Sequence, residues 1–143
     1  SHIRMACISN ANVKIASSHY GLNVGGDGVT AQMLEDVAML RSLPNMTIVT
    51  PVDAVQAFQA IFEVSRINGP VYIRFTREKF PVFMREGSVF KIGKAQVLKE
   101  GKDVTLITYG SSVKTSIEAV QHMSDVDVEV IDLRTLSGRP HSP

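Results

Sequence analysis

Residues 17–32 concentrate four glycines, Gly21, Gly25, Gly26 and Gly28, around one histidine, His19, and one aspartate, Asp27. Glycine at that density favours positive φ and close backbone approach, and no long helix or strand runs through it. Residues 12–17, which run into it, partly alternate apolar and polar side chains and predict a strand that leads into the loop. The fold must therefore carry a strand into a long loop that is too flexible for any regular element, then out into something different.

Beyond the loop the period changes. Met33, Val37 and Leu40 recur at helical spacing, with Leu34 and Ala38 widening the face, and Thr30 is placed to cap the helix start. Pro44 and Asn45 stop that helix, and residues 46–49 form a compact strand. Asp53 and Gln56 have the spacing of a capping box at the head of a second helix, on which Phe58, Ile61, Phe62 and Ser65 share one face. Asn68-Gly69-Pro70 ends it, and Val71, Ile73 and Phe75 alternate with Tyr72, Arg74 and Thr76 as a strand. Strand, helix, strand, helix, strand is the pattern of an α/β fold, a parallel sheet flanked by helices.

Residues 81–93 have no clear period and contain Pro81 and Gly87, which predicts a linker. A second pattern then begins: a strand at 95–98, a turn at Glu100-Gly101-Lys102, and a strand at 104–109. A helix marked by Val113, Ile117 and Val120 comes next, then a strand marked by Val126, Val128 and Val130. This is an incomplete second βαβ domain with Gly110 at its strand-to-helix turn, and residues 137–143 read as a tail without core residues.

Composition narrows the function classes. The 143 residues are 44% hydrophobic and 20% charged, as in a globular protein with a core. A formal net charge of +1 sets up no field that would favour nucleic acid or an anionic membrane. Apolar runs are strand-sized, so no membrane span is predicted, and residues 1–5 do not read as a signal peptide. Cys7 is the single cysteine, which excludes an internal disulfide or a cysteine-based metal cluster, predicts a buried structural thiol and points to a cytoplasmic setting.

Three residues are candidates for ligand contact. Asp27, in Gly25-Gly26-Asp27-Gly28, reads alone as a turn residue. Its other reading is an acceptor for a ligand hydroxyl, just ahead of the helix expected from Thr30. His19 is either a solvated loop side chain or a donor to phosphate or hydroxyl. Arg77, closing Arg74-Phe75-Thr76-Arg77, is either a surface charge or a planar fork for phosphate. All three fall at strand ends or in the loops beyond them, where parallel sheets place their ligand crevice. Glu35 and Asp36 are adjacent and read as a solvated first-turn charge pair. Gly110-Ser111-Ser112 reads as a short βα connection, and His122 and His141 join no metal constellation. Gly26-Asp27-Gly28 looks like the start of a diphosphate-and-metal motif, but the asparagine that motif requires is not in place, so no metal site is assigned.

The run Ser18-His19-Tyr20-Gly21-Leu22-Asn23-Val24-Gly25-Gly26-Asp27-Gly28-Val29-Thr30, with Leu34-Glu35-Asp36, Leu43-Pro44-Asn45-Met46 and Gly69-Pro70-Val71-Tyr72-Ile73-Arg74, closely resembles transketolases and their split-subunit relatives. The resemblance covers residues 3–136. It implies a thiamin diphosphate-binding fold, with 1–80 the latter part of the pyrimidine-binding domain, 81–93 a linker, and 94–136 the start of the C-terminal domain. The implied chemistry is transfer of a two-carbon ketol unit between sugar phosphates, with thiamin diphosphate and a divalent metal such as Mg2+.

By resemblance, His19 matches a histidine near the substrate phosphate, Asp27 an aspartate that reads a sugar hydroxyl, and Arg77 an arginine that grips the phosphate. Two positions depart. Ala31 stands where the family usually has a histidine that contacts the ketol group, and Gly26 stands where glutamate is common. The family's glutamate that protonates the cofactor pyrimidine, the diphosphate- and metal-holding domain and the aromatic platform are expected outside this segment. No catalytic or cofactor-binding residue is therefore assigned. The resemblance implies a complementary diphosphate-binding subunit or domain, a dimer, and no activity for the chain alone. Other readings are a component like 1-deoxyxylulose-5-phosphate synthase or a 2-oxoacid dehydrogenase beta subunit, or a non-catalytic module that keeps the fold.

Overall fold

The computed structural model describes residues 1–77, 79–84 and 87–137. A helix α1 (His2–Ile8) precedes strand β1 (Lys14–Ser18). Two 3-10 turns over Leu22–Asp27, broken at Gly25, lead to helix α2 (Asp36–Arg41), strand β2 (Thr47–Val49), helix α3 (Ala54–Arg66) and strand β3 (Val71–Phe75). The second half contains β4 (Gln96–Lys99), β5 (Val104–Thr108), α4 (Ser112–Gln121), β6 (Val128–Asp132) and β7 (Thr135–Ser137).

The first sheet has the order β1-β3-β2-β7, with β1, β3 and β2 parallel and β7 antiparallel against β2. The expected α/β sheet is present, and its pleat explains the layers. Val71 and Ile73 on β3, with Val49 on β2, face α3 and pack on Ala60, Val64 and Phe90. Tyr72 and Ile48 face the other way and pack with Cys7 of α1, Leu40 of α2 and Met46. Each fully buried aliphatic side chain here contributes about 1.5–3 kcal/mol. Cys7 is the buried thiol expected, and burial raises its pKa.

The second sheet, β4-β6-β5, pairs β5 parallel and β4 antiparallel to β6. Val120 and Ile117 of α4 cover Val128, Val130, Leu98 and Leu106. Gly101 lets the chain cross β6 closely, because a Cβ there would lie 2.2 Å from the Glu129 nitrogen. No helix among the described residues is long and apolar enough to cross a membrane.

Several expectations are corrected. The glycine-rich loop is not devoid of regular structure: its glycines admit two short 3-10 turns, with Gly25 at φ 66° between them. Thr30 caps no helix. Ala31 and Gln32 donate to the Gly28 carbonyl in a turn, and Met33 pairs in parallel with Tyr20. That pairing holds Met33 extended, so α2 begins only at Asp36, with Glu35 as its N-cap: tertiary pairing overrides the helical period. On α3 the shared face of Phe58, Ile61 and Phe62 is 66%, 53% and 51% exposed, while Gln56, Ala60 and Val64 face the core.

Within 81–93, Met84 and Phe90 are buried. Phe90 is in the α3 core, and the Phe83 and Met84 N–H groups donate to Asp53 Oδ2 at 3.1 and 2.9 Å. Ser137 ends β7, and the rest of the expected tail lies outside the described residues.

Candidate functional site

Parallel pairing decides where the site residues meet. Ser18 of β1 lies beside Phe75 of β3, so His19 leaves β1 at the edge where Thr76 and Arg77 leave β3. That edge collects the C-terminal ends of the parallel strands, the usual ligand rim. The loop after His19 folds back over it: Arg77 Nη1 lies 3.1 Å from Asp27 Oδ2 and donates to the Val24 carbonyl at 2.7 Å. Asp27 and Arg77 are therefore in contact, with their side chains 46% and 42% exposed, and a guanidinium has further N–H groups beyond that nitrogen. His19 is exposed at the same edge, with Nδ1 2.7 Å from Ser18 Oγ, and it holds φ 67°, an uncommon conformation for a residue other than glycine. Ala31 is exposed in the same loop and brings only a methyl group.

A guanidinium fork, an imidazole and a carboxylate on one rim can bind a phosphate and orient a hydroxyl. They do not make a metal centre. Among the described residues no group of three His, Cys, Asp or Glu side chains could hold a metal ion. The described residues thus offer no side-chain set of that kind, and no chemical step is derived through a metal ion.

Behind the rim lies a cluster that sequence reasoning missed. Asp36 is buried, 4% exposed, and accepts from the Tyr72 hydroxyl and from Arg74 Nη1, both at 3.0 Å. It is not the solvated partner of Glu35, because β3 places a hydroxyl and a guanidinium at the start of α2. Burial first, and then Asp36, raises the Tyr72 pKa, offset in part by Ser17 and Arg74. The Arg74 guanidinium also lies 3.5 Å from the centroid of the Tyr20 ring. The usable signal was Arg74 itself, a charge in an otherwise apolar strand.

A second missed network joins helix α3 to strand β6 of the second sheet. Gln56 Nε2 donates to Asp132 Oδ2 at 2.8 Å, and Arg134 Nε approaches the same oxygen at 3.4 Å. Burial raises the Asp132 pKa, while Gln56 and Arg134 pull it down. Burial also lowers that of Arg134, against the attraction of Asp132.

The family model for the transketolase pyrimidine-binding domain matches residues 1–82, more than half of the chain. The chain belongs to the transketolase family. The model for the transketolase C-terminal domain matches residues 93–138. A putative transketolase C-terminal section of Methanocaldococcus jannaschii is 33% identical over 129 residues, which cover 87% of this chain and 41% of that protein. Human transketolase-like protein 2 is 37% identical over 138 residues, covering 94% of this chain and 22% of that protein.

A solved structure described as a split gene transketolase, inactive beta4 tetramer, superposes with TM-score 0.80 at 36% identity, covering 91% of this chain and 42% of that one. The transketolase of Leishmania mexicana gives TM-score 0.79 at 26% identity, covering 93% and 20%. The chain thus spans less than half the length of these relatives. Transketolases in general use thiamin diphosphate and a divalent metal.

Proposed function

We propose that this chain supplies the sugar-phosphate rim of a transketolase-type transferase and is inactive alone. In this reading Arg77 and His19 hold the substrate phosphate, and Asp27 accepts from a sugar hydroxyl. The observation that carries it is the Asp27–Arg77 contact on the edge where His19 leaves β1. Residues 1–80 act as a pyrimidine-side domain, 81–93 connect, and 94–136 begin the C-terminal domain. In this reading thiamin diphosphate and its metal, such as Mg2+, are supplied through a complementary diphosphate-binding subunit or domain, as the resemblance to transketolases implies.

An oligomer of at least two chains fits this role, and the relative described as an inactive beta4 tetramer supports both assembly and silence without a partner. A cytoplasmic, pentose-phosphate setting agrees with sugar-phosphate chemistry and with one buried thiol.

The test is to mix the purified chain with a diphosphate-binding partner and follow ketol transfer from xylulose 5-phosphate. The expected result is no turnover from either component and turnover from the mixture. A stable complex without turnover would favour the other reading, a non-catalytic module, for which Ala31 is the specific argument.

A further inference from the structure

The loop that carries His19 and Asp27 is pinned where it starts and where it ends, and the pin reaches into the second unit. Tyr20, directly after His19, is 6% exposed. Its ring lies under the Arg74 guanidinium, 3.5 Å from centroid to Cζ, and Arg74 is held in turn by Asp36 at 3.0 Å. Asp36 opens α2, just past the far end of the loop. The two ends also meet through the backbone: Tyr20 bridges Met33, and the Gly21 N–H donates to the Met33 carbonyl at 2.8 Å.

The Tyr20 hydroxyl then leaves the first unit. It accepts from the backbone N–H of Ser111 at 3.3 Å, and Ser111 is the N-cap of α4. The neighbouring Gly110 has φ 58°, and a Cβ there would lie 3.1 Å from Tyr20 Oη. The strand-to-helix turn of the second unit is thus shaped to the phenol. His19, one residue away, holds a left-handed backbone that a histidine does not prefer, and such a conformation persists only where its surroundings impose it.

We infer that Tyr20 is a positioning residue. With its ring on Arg74 and its hydroxyl on Ser111, it sets the backbone of His19 and the register of the loop, so that the second unit preorganises the phosphate-binding rim. The inference rests on the reading of His19, Asp27 and Arg77 as that rim. It gives residues 94–136 a task at the site without a side chain in it. A preorganised loop binds more tightly because less ordering remains to be done on binding.

The test uses the full chain and removes one hydrogen bond from each side. Tyr20→Phe deletes the acceptor and keeps the ring under Arg74. Ser111→Pro deletes the donor from the second unit, at a position whose φ of −60° suits proline. Two readouts are needed: hydrogen exchange of the Gly21 amide, and affinity for inorganic phosphate followed by the NMR signals of the His19 imidazole.

Each variant is expected to speed Gly21 exchange about three- to tenfold and to weaken phosphate binding by a similar factor, which is what one neutral hydrogen bond is worth. The double variant should be no worse than either single one, because both remove the same contact. Loosening of the loop by Ser111→Pro is the result that a packing defect at Tyr20 would not produce. Unchanged Gly21 exchange in both variants, or additive effects in the double variant, would overturn the inference. If the wild-type chain gave no response to phosphate, the rim reading would fail, while the exchange rates would still decide whether Tyr20 positions the loop.

Discussion

Strand β3 and the residues just beyond it offer two arginines three positions apart, each paired with an aspartate from the preceding loop and helix. Arg74 meets Asp36 at 3.0 Å, with side chains 11% and 5% exposed, and Arg77 meets Asp27 at 3.1 Å, with side chains 42% and 46% exposed. Distance does not distinguish them; water does. Breaking a buried pair strands a charge in a poorly solvated place, whereas an exposed pair gains little because solvent competes with it at every moment. The inner pair can therefore serve as architecture. The outer pair can exchange its partner for an incoming phosphate at small cost.

The largest expected effect comes from the inner pair. Asp36→Ala leaves Arg74 and the Tyr72 hydroxyl without their acceptor and should cost about 3–5 kcal/mol in urea unfolding. A loss below about 1 kcal/mol would put the inner pair in the same class as the outer one and end the contrast.

The junction network allows a pH test of what burial does. Burial holds the Asp132 pKa above the ordinary carboxyl range, so the folded chain keeps that proton more tightly than the unfolded chain does. The resulting stability is present in full below the unfolded value of about 3.9 and is lost as pH rises through the raised folded value. Asp132→Asn cannot ionise, and thermal melts across that range should show a flatter dependence on pH than wild type. Equal slopes would assign the effect to another group.

Arg77→Ala should change unfolding stability by less than about 1 kcal/mol and yet abolish saturable binding of a sugar phosphate, measured by calorimetry. Retained binding would remove Arg77 from the rim. Ala31→His, at an exposed loop position, should move stability by no more than about 0.5 kcal/mol. Its informative readout is ketol transfer in the mixed assembly, expected to rise. Unchanged turnover would mean that this position does not limit the chemistry.

How much of this was legible depended on the range of the forces involved. The alternation of Val71, Ile73 and Phe75 and the capping spacing of Asp53 and Gln56 are local, and both are present in the fold: Asp53 Oδ1 accepts from the Gln56 N–H at 3.0 Å. The same Gln56 is fully buried, which its sequence neighbours could not reveal, because its side-chain partner Asp132 arrives from the other sheet. On α3 the period shows that Phe58, Ile61 and Phe62 share a face. Which face the sheet covers is settled elsewhere, by Val49, Val71 and Ile73. Asp36 eludes a local reading for a similar reason: burial of a carboxylate is decided by the strand that meets it. In the candidate site, the glycine loop and the end of β3 are readable as rim segments. Their mutual contact, and the Tyr20–Arg74 stack beneath them, depend on parallel register.

The return of β7 to the first sheet has a consequence for how the protein is made. When β2 and β3 have been synthesised, the outer side of β2 still presents unpaired backbone groups, and the strand that covers them is Thr135–Ser137, the last of the described elements. A growing chain must carry that open edge while the whole second sheet is produced, and open strand edges invite pairing with other chains. The first half is thus finished by the end of the second. The open edge of β2 is exposed to misassembly during that interval, until Thr135–Ser137 has left the ribosome and paired with it.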